Sequence, residues 1–319
     1  MPKYAIYPEK QSTPTTTSAN SSYPVANLTG NDYRKKVWKA ASSVATATLR
    51  VPIAANAQAI SLHNTNAETA ICTITLDSAE QTLKATLATS YASGTEVGIS
   101  IATHGYSEND IILLNGTDHY DGVYTLPSQA SGATSEVIIT ATFATETFAI
   151  TDTACVVVES TTHTLETTDR TYDRFWQAYT KQIAAHTATI KLTAGSGETV
   201  EAGIVRAGTL ATFSNPQYGA SQSPRDFSIK KPLRNGAIYT KKLEIVRAYS
   251  YSMDLVRDTK FNDLIDLYSY YGPNPFCMLI DDEIDNDYWC LFGAFDSEPQ
   301  GSHSYPSDSV VSVSILESV

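Results

Sequence analysis

The sequence predicts a mainly β chain: multi-domain β-sandwiches with a small β-barrel-like insertion and one short helix in the C-terminal part. Three observations lead there. Charged residues are only 18% of the 319, and Thr, Ser, Ala and Asn fill the deficit, as in strands with one wetted face. Apolar and polar residues alternate over strand-length runs bounded by Gly, Pro or Asn. One segment, 258–271, breaks this rhythm with apolar residues at helical spacing.

Along the chain, residues 1–22 read as an extended arm. QSTPTTTSANSS is too polar to nucleate a core, so the arm is either disordered or laid on a neighbouring subunit. An ordered unit opens at Tyr23, with strands TATLRVPI, QAISLHN and AICTITLD, and covers 23–86 and 155–212. Its two halves are separated by an inserted module, 87–154. There Asn115-Gly116 reads as a hairpin turn, because both residues accept positive φ, and Tyr120-Asp121-Gly122 reads as a second turn feeding a strand. Residues 213–319 form the remaining unit. It has a Pro/Gly/Ser-rich connection (NPQYGASQSPRDFS), a long strand in KKLEIVRAYSYSMDL, and a helix capped by Asp258 and stopped by Gly272-Pro273. The helix shows Phe261, Leu264, Ile265, Tyr268 and Tyr271 on one face. An apolar strand, an acidic turn, an aromatic strand and the closing strand SVVSVSILESV follow. That last strand puts Val311, Val313 and Ile315 on one face and leaves the other mostly polar, as on a half-wetted sandwich or a sheet lining a ring.

A net charge of −12 argues against nucleic-acid binding, which needs clustered Lys and Arg. Arg34-Lys35-Lys36 and Lys230-Lys231 are too short to reverse it and read as solvated loop charges. Cysteines stand at 72, 155, 277 and 290 without a CxxC, so zinc and dithiol redox motifs are missing and buried free thiols are expected. Cys277 and Cys290, on the strands flanking the acidic turn, are placed to face each other. The N-terminus lacks the apolar core of a signal peptide, and no run reaches membrane-spanning length, so a protein made in the cytoplasm without membrane insertion is expected.

Two resemblances add to this reading. The order of helix, "GP-x-PF", apolar strand, acidic turn, aromatic strand and terminal "SVSILESV" resembles the C-terminal half of bacteriophage tail structural proteins of the distal-tail, baseplate or tail-tip type. YPVANLTGNDYRKKVW, with the later ATIKLTA and EAGIVRAGT, resembles discoidin-like (galactose-binding-type) β-sandwiches. The resemblances imply a virion tail protein made in the bacterial cytoplasm, a ring-like homo-oligomer meeting other tail proteins, with no enzymatic activity and no cofactor. They make 213–319 the assembly domain. They also leave room for a carbohydrate-binding-like module that holds host-surface glycans.

Candidate site residues follow. Trp38, Tyr120 and Asp121 are candidate glycan contacts; Trp176 and Trp289 are further rings able to stack on sugars if exposed. Asp281, Asp282, Glu283, Asp285 and Asp287 form a candidate assembly contact for a neighbour's Lys or Arg, and the EF-hand spacing that calcium would need is absent. His104, Asp118, His119 and Asp121 bring imidazole and carboxylate together, but GxSxG and HExxH are both missing, and turn chemistry accounts for them better. Gly195-Ser196-Gly197 precedes Glu198 where a phosphate loop would carry Lys, and reads as a hairpin connection.

Overall fold

A computed structural model describes residues 3–8, 13–31, 36–77, 80–91, 94–101, 104–127, 136–165, 173–214, 216–217, 219–232, 238–256, 260–280, 290–303 and 308–318. The chain is mainly β, with one α-helix and several antiparallel sheets. The first unit is a sandwich. One layer contains Thr46–Ile53, Ala67–Leu76, His186–Ala194 and the second half of Thr153–Thr164; the other contains Ala59–Thr65, Asp173–Ala178 and Ile204–Phe213. The alternation of each strand turns Leu49, Val51, Cys72, Ile74, Ile190, Leu62, Phe175 and Val205 into one shared core.

Residues 83–154 gather a separate core from Val97, Ile99, Ile112, Leu114, Tyr120, Val137, Ile139 and Phe148. A three-stranded sheet (Thr89–Tyr91, Glu96–Ser100, Glu136–Thr140) packs with the pair Ile111–Asn115 and Gly122–Thr125. The barrel expected here does not close among the described residues, because these strands belong to two different sheets. The link to the sandwich is Thr153–Thr164. Its first half pairs with Ile111–Asn115 and its second with Ala67–Leu76, and a register shift between Val157 and Glu159 lets one strand serve both.

In the C-terminal unit, Ile245–Val256, Phe276–Leu279, Cys290–Phe295 and Asp308–Glu317 lie in one sheet, and the helix Lys260–Tyr271 covers one face of it. Leu264, Leu267 and Tyr271 are the buried stripe, with Phe261 and Tyr268 at its flanks. Gly272, at φ +52, ends the helix by returning its N–H to the Tyr268 carbonyl at 2.7 Å; Asp258 lies outside the described residues. On the last strand Val311, Val313 and Ile315 are buried as expected. The opposite face carries serine rungs, Ser250 with Ser314 and Ser252 with Ser312, their hydroxyl oxygens 3.4 and 3.1 Å apart.

The N-terminal segment differs from the expected free or exchanged arm. Lys3–Pro8 is an inner strand, antiparallel to Ile204–Phe213 on one side and to Phe276–Leu279 on the other. It joins the sandwich layer and the C-terminal sheet into one sheet of ten strands. Ile6 is fully buried there, among Ala59, Trp176, Ile204, Cys277, Leu279, Cys290 and Phe292. The segment around Ser221 also differs. Ser221–Asp226, read above as part of a connection, is the edge strand of this sheet, paired with Ile245–Val256. Pro224 there is tolerated because only one side of an edge strand is bonded.

Candidate assembly surface

Beyond Asp226 the edge strand and its partner leave the sheet together. Phe227 N–H donates to the Glu244 carbonyl at 3.3 Å and Leu243 N–H to Ser228 Oγ at 3.0 Å. The chain then continues as a hairpin of its own, Ile229–Pro232 against Ile238–Lys241. The β-branched residues and Pro232 favour extended backbone. The described residues of both strands are all exposed, and neither strand pairs with another sheet. Ile238 is 69% and Tyr239 51% exposed, with Phe227, Ile229, Leu243 and Ile245 also exposed beside them.

Two-stranded hairpins are marginal in water, and contiguous exposed apolar side chains mark interaction surfaces. The charge is distinctive as well. Residues 225–247 hold seven Lys and Arg and two acids, a local net of +5 in a chain of net −12. Arg225 is tied down by Asp296 at 2.6 Å. Lys230, Lys231, Lys241 and Lys242 form no ion pair among the described residues. Lys230-Lys231 therefore belongs to this hairpin strand and not to a loop.

Most of the residues singled out from sequence lie elsewhere. Trp38 is fully buried in the sandwich core, and its Nε1 has no hydrogen-bond partner among the described residues. Tyr120 is buried in the insertion, where its hydroxyl donates to the Ala144 carbonyl (2.6 Å) and accepts from the Ala144 N–H (2.7 Å). Trp176 is buried at the junction with the C-terminal sheet. None of these rings offers a face to a sugar, because each fills a core that its neighbouring strands need. The acidic run Asp281, Asp282, Glu283, Asp285 and Asp287, with Trp289, lies outside the described residues.

The imidazole and carboxylate group of the insertion is structural. Glu146 accepts the backbone N–H groups of Asp118 (2.6 Å) and His119 (3.0 Å). Asp121 accepts the N–H and Oγ1–H of Thr117 at 2.8 and 3.0 Å. These carboxylates hold a loop over 116–121, longer than the tight Asn115-Gly116 turn expected; Gly116 alone of that pair has positive φ. His104 bonds the Glu136 carbonyl at 3.0 Å and stacks on Tyr106. Among the described residues, no three His, Cys, Asp or Glu side chains converge as a metal site would require. Gly197, at φ +84, turns the chain between strands as the hairpin reading expects.

All four cysteines are buried free thiols. Cys277 and Cys290 stand diagonally on paired strands, opposite Phe292 and Leu279 respectively. Burial pushes the Cys277 and Cys155 thiols up to about 11, so they are protonated and poor nucleophiles.

Sequence reading missed a buried polar seam between the sandwich and the C-terminal sheet. Ser61 Oγ lies 3.0 Å from His63 Nε2, and the Arg206 guanidinium sits 5.5 Å from the centre of the Phe292 ring while donating to the carbonyls of Leu28, Thr29 and Gly30. Ser61 and His63 within QAISLHN and Arg206 within GIVRAGT alternate with the sandwich-core residues Leu62 and Val205, so the sequence presents them as the wetted face of their strands and gives no sign of the sheet that covers them. No helix among the described residues is long and apolar enough to cross a membrane. The chain matches no known protein family and no curated protein.

Proposed function

We propose that this protein is a structural subunit of a bacteriophage tail, of the distal-tail, baseplate or tail-tip kind, and works by assembling in several copies without catalysing a reaction. The observation that carries the reading is the projecting hairpin of 227–245. It spends six large apolar residues and a run of lysines on a surface that its own chain does not cover. A monomer gains nothing from that exposure. A neighbouring copy, acidic outside this segment, gains apolar burial and charge neutralisation together. Pro224, Arg225 and Asp226 make the adjoining sheet edge a poor template for strand addition, so side-chain packing of the hairpin makes the contact. Rings of such subunits meet other tail proteins through the same kind of β-rich faces, each stable contact burying roughly 1,200–2,000 Å².

The test is the mass of the purified chain by light scattering and native mass spectrometry, with particle proteomics beside it. The wild-type protein should form a closed oligomer. The exposed substitutions Ile238→Asp and Tyr239→Asp should return it to monomer with its circular dichroism unchanged. A wild-type protein that stays monomeric at high concentration and is missing from particles would overturn the assignment.

A further inference from the structure

A cleft of about 350 Å³ lies where the insertion meets the outer face of the sandwich, within the range of roughly 300–1,000 Å³ of small-molecule sites. Its origin is the shared strand Thr153–Thr164. Through the shift at Val157/Glu159 the same sheet continues into the pair Ile111–Asn115 and Gly122–Thr125, whose residues line one side of the cleft beside the outward residues of the sandwich strands. The floor is two cross-strand rows in register, Ser160–Thr73–Thr189 and Thr162–Ile71–Lys191–Thr48. Leu113, Asn115, Asp121 and Val123 supply the wall.

Two features set this cleft apart from a solvated β surface. Apolar and polar groups are interleaved: the aliphatic side chains of Ile71, Leu113 and Val123 face the same space as five hydroxyl side chains and an amide. Most of its polar groups are also uncommitted, the exceptions being Asp121 and the Thr73 and Ser160 hydroxyls, which bond each other at 2.9 Å. Among the described residues the side chains of Thr48, Thr162, Thr189, Asn115 and Lys191 make no hydrogen bond or ion pair. Asp121, by contrast, is engaged with Thr117 of its own loop. Those bonds hold the Asp121 carboxylate at the wall, and the one cation among the residues lining the cleft is the Lys191 ammonium, on an outward position of a central strand.

We propose that this cleft binds a carboxylated sugar residue of a saccharide chain. A pyranose has an apolar C–H face for Ile71, Leu113 and Val123 and a hydroxyl rim for the Thr/Ser rows and Asn115. A carboxylate gives Lys191 a charge-assisted partner, stronger than a neutral hydrogen bond. This role goes beyond assembly and uses residues remote in sequence from the hairpin. It moves the glycan contact expected from sequence off the buried rings of Trp38 and Tyr120, and keeps only Asp121 at the site, as part of the wall.

The test is binding of a digalacturonate, with digalactose as the neutral match, followed by calorimetry and by chemical-shift changes in the intact chain. Digalacturonate should bind saturably and more tightly than digalactose, and added salt should weaken it. Lys191→Ala should weaken it by about tenfold or more, the effect of losing one charged hydrogen bond. Thr162→Trp should block the cleft and abolish binding of both sugars. Both positions are exposed, so the variants should fold, which circular dichroism checks. Equal binding of the two sugars, an unchanged affinity in Lys191→Ala, or no saturable binding by the wild-type chain would each overturn the proposal. Hairpin variants should bind the sugar normally, which separates this result from that of the assembly test.

Discussion

Arg247 and Glu317 face each other across adjacent strands of the C-terminal sheet as a forked ion pair. Nη2 lies 2.5 Å from Oε1 and Nε 3.0 Å from Oε2, and the Glu317 side chain is almost entirely buried. Arg174 of the sandwich approaches the same carboxylate at 3.8 Å and donates to the Cys290 carbonyl at 2.7 Å. One anion near the C-terminus thus organises two cations from different units. Removing one member of a buried pair leaves uncompensated charge, at a cost of about 3 kcal/mol. Glu317→Gln should lower the unfolding free energy by that much, read as a lower urea midpoint with an unchanged slope. A midpoint equal to wild type would show that the pair is solvated and contributes little.

The inner position of Lys3–Pro8 makes the N-terminus a structural element. Ile6 has no exposed surface, and the Tyr271 hydroxyl donates to its carbonyl at 2.8 Å, tying the end of the helix to this strand. Ile6→Ala removes buried methyl and methylene groups from the junction and should cost about 3 kcal/mol. Tyr271→Phe should cost about 1 kcal/mol through the lost hydrogen bond. Denaturation of both variants checks this. If Ile6→Ala unfolds like wild type, the strand does not hold the two halves together in solution.

What could be read from sequence was local. The helix announced itself through its period and its Gly-Pro stop, yet Leu267 sits at the centre of the buried stripe while Ile265 lies toward its edge. The alternating strands showed which residues turn inward, as Val311, Val313 and Ile315 do. Pairing between distant segments was not legible. Lys3–Pro8 offers few residues and finds partners near Leu210 and Met278. The edge strand Ser221–Asp226 is hidden by a turn-like composition, since Pro and Ser are tolerated at an edge. The cleft was invisible for the same reason: its lining comes from strands that meet only after folding. Of the sequence candidates it retains Asp121 alone, because a large aromatic ring in a β protein is more often filling a core than displayed on its surface.

His63 gives the junction a pH dependence. Burial holds its pKa well below the ordinary value, and the Arg174 charge acts in the same direction, followed by Arg247 and Arg206; Glu317 opposes them. The folded state therefore keeps the imidazole neutral, while the unfolded chain takes up a proton below about pH 6.5. The stabilisation is fully present above that value. It falls as pH drops from 6.5 toward the depressed folded pKa, by up to about 1.4 kcal/mol per pH unit. His163, also lowered by burial, adds a contribution of the same sign. Stability measured between pH 7.5 and about 5.5 should decline, and His63→Gln should flatten that decline. An identical slope in the variant would assign the effect to other groups.

Gly116 tests the loop that replaced the expected two-residue turn. Its φ is +98, and a Cβ placed there would come 2.9 Å from Asp152 Oδ1 and 3.3 Å from the Asp152 Cα. Asp152 cannot readily withdraw, because its other oxygen accepts the Ala149 N–H at 2.6 Å and the residue is buried. Gly116→Ala should therefore combine backbone strain with a forced shift of that carboxylate, at about 1–3 kcal/mol. The loss should be confined to the insertion. Amide exchange should rise over 111–126 and 147–156 while the strands around Leu49 and Ile190 keep their protection. Exchange rising equally in the sandwich would show that the two cores unfold as one unit, which their shared strand Thr153–Thr164 permits and their separate clusters of buried residues argue against.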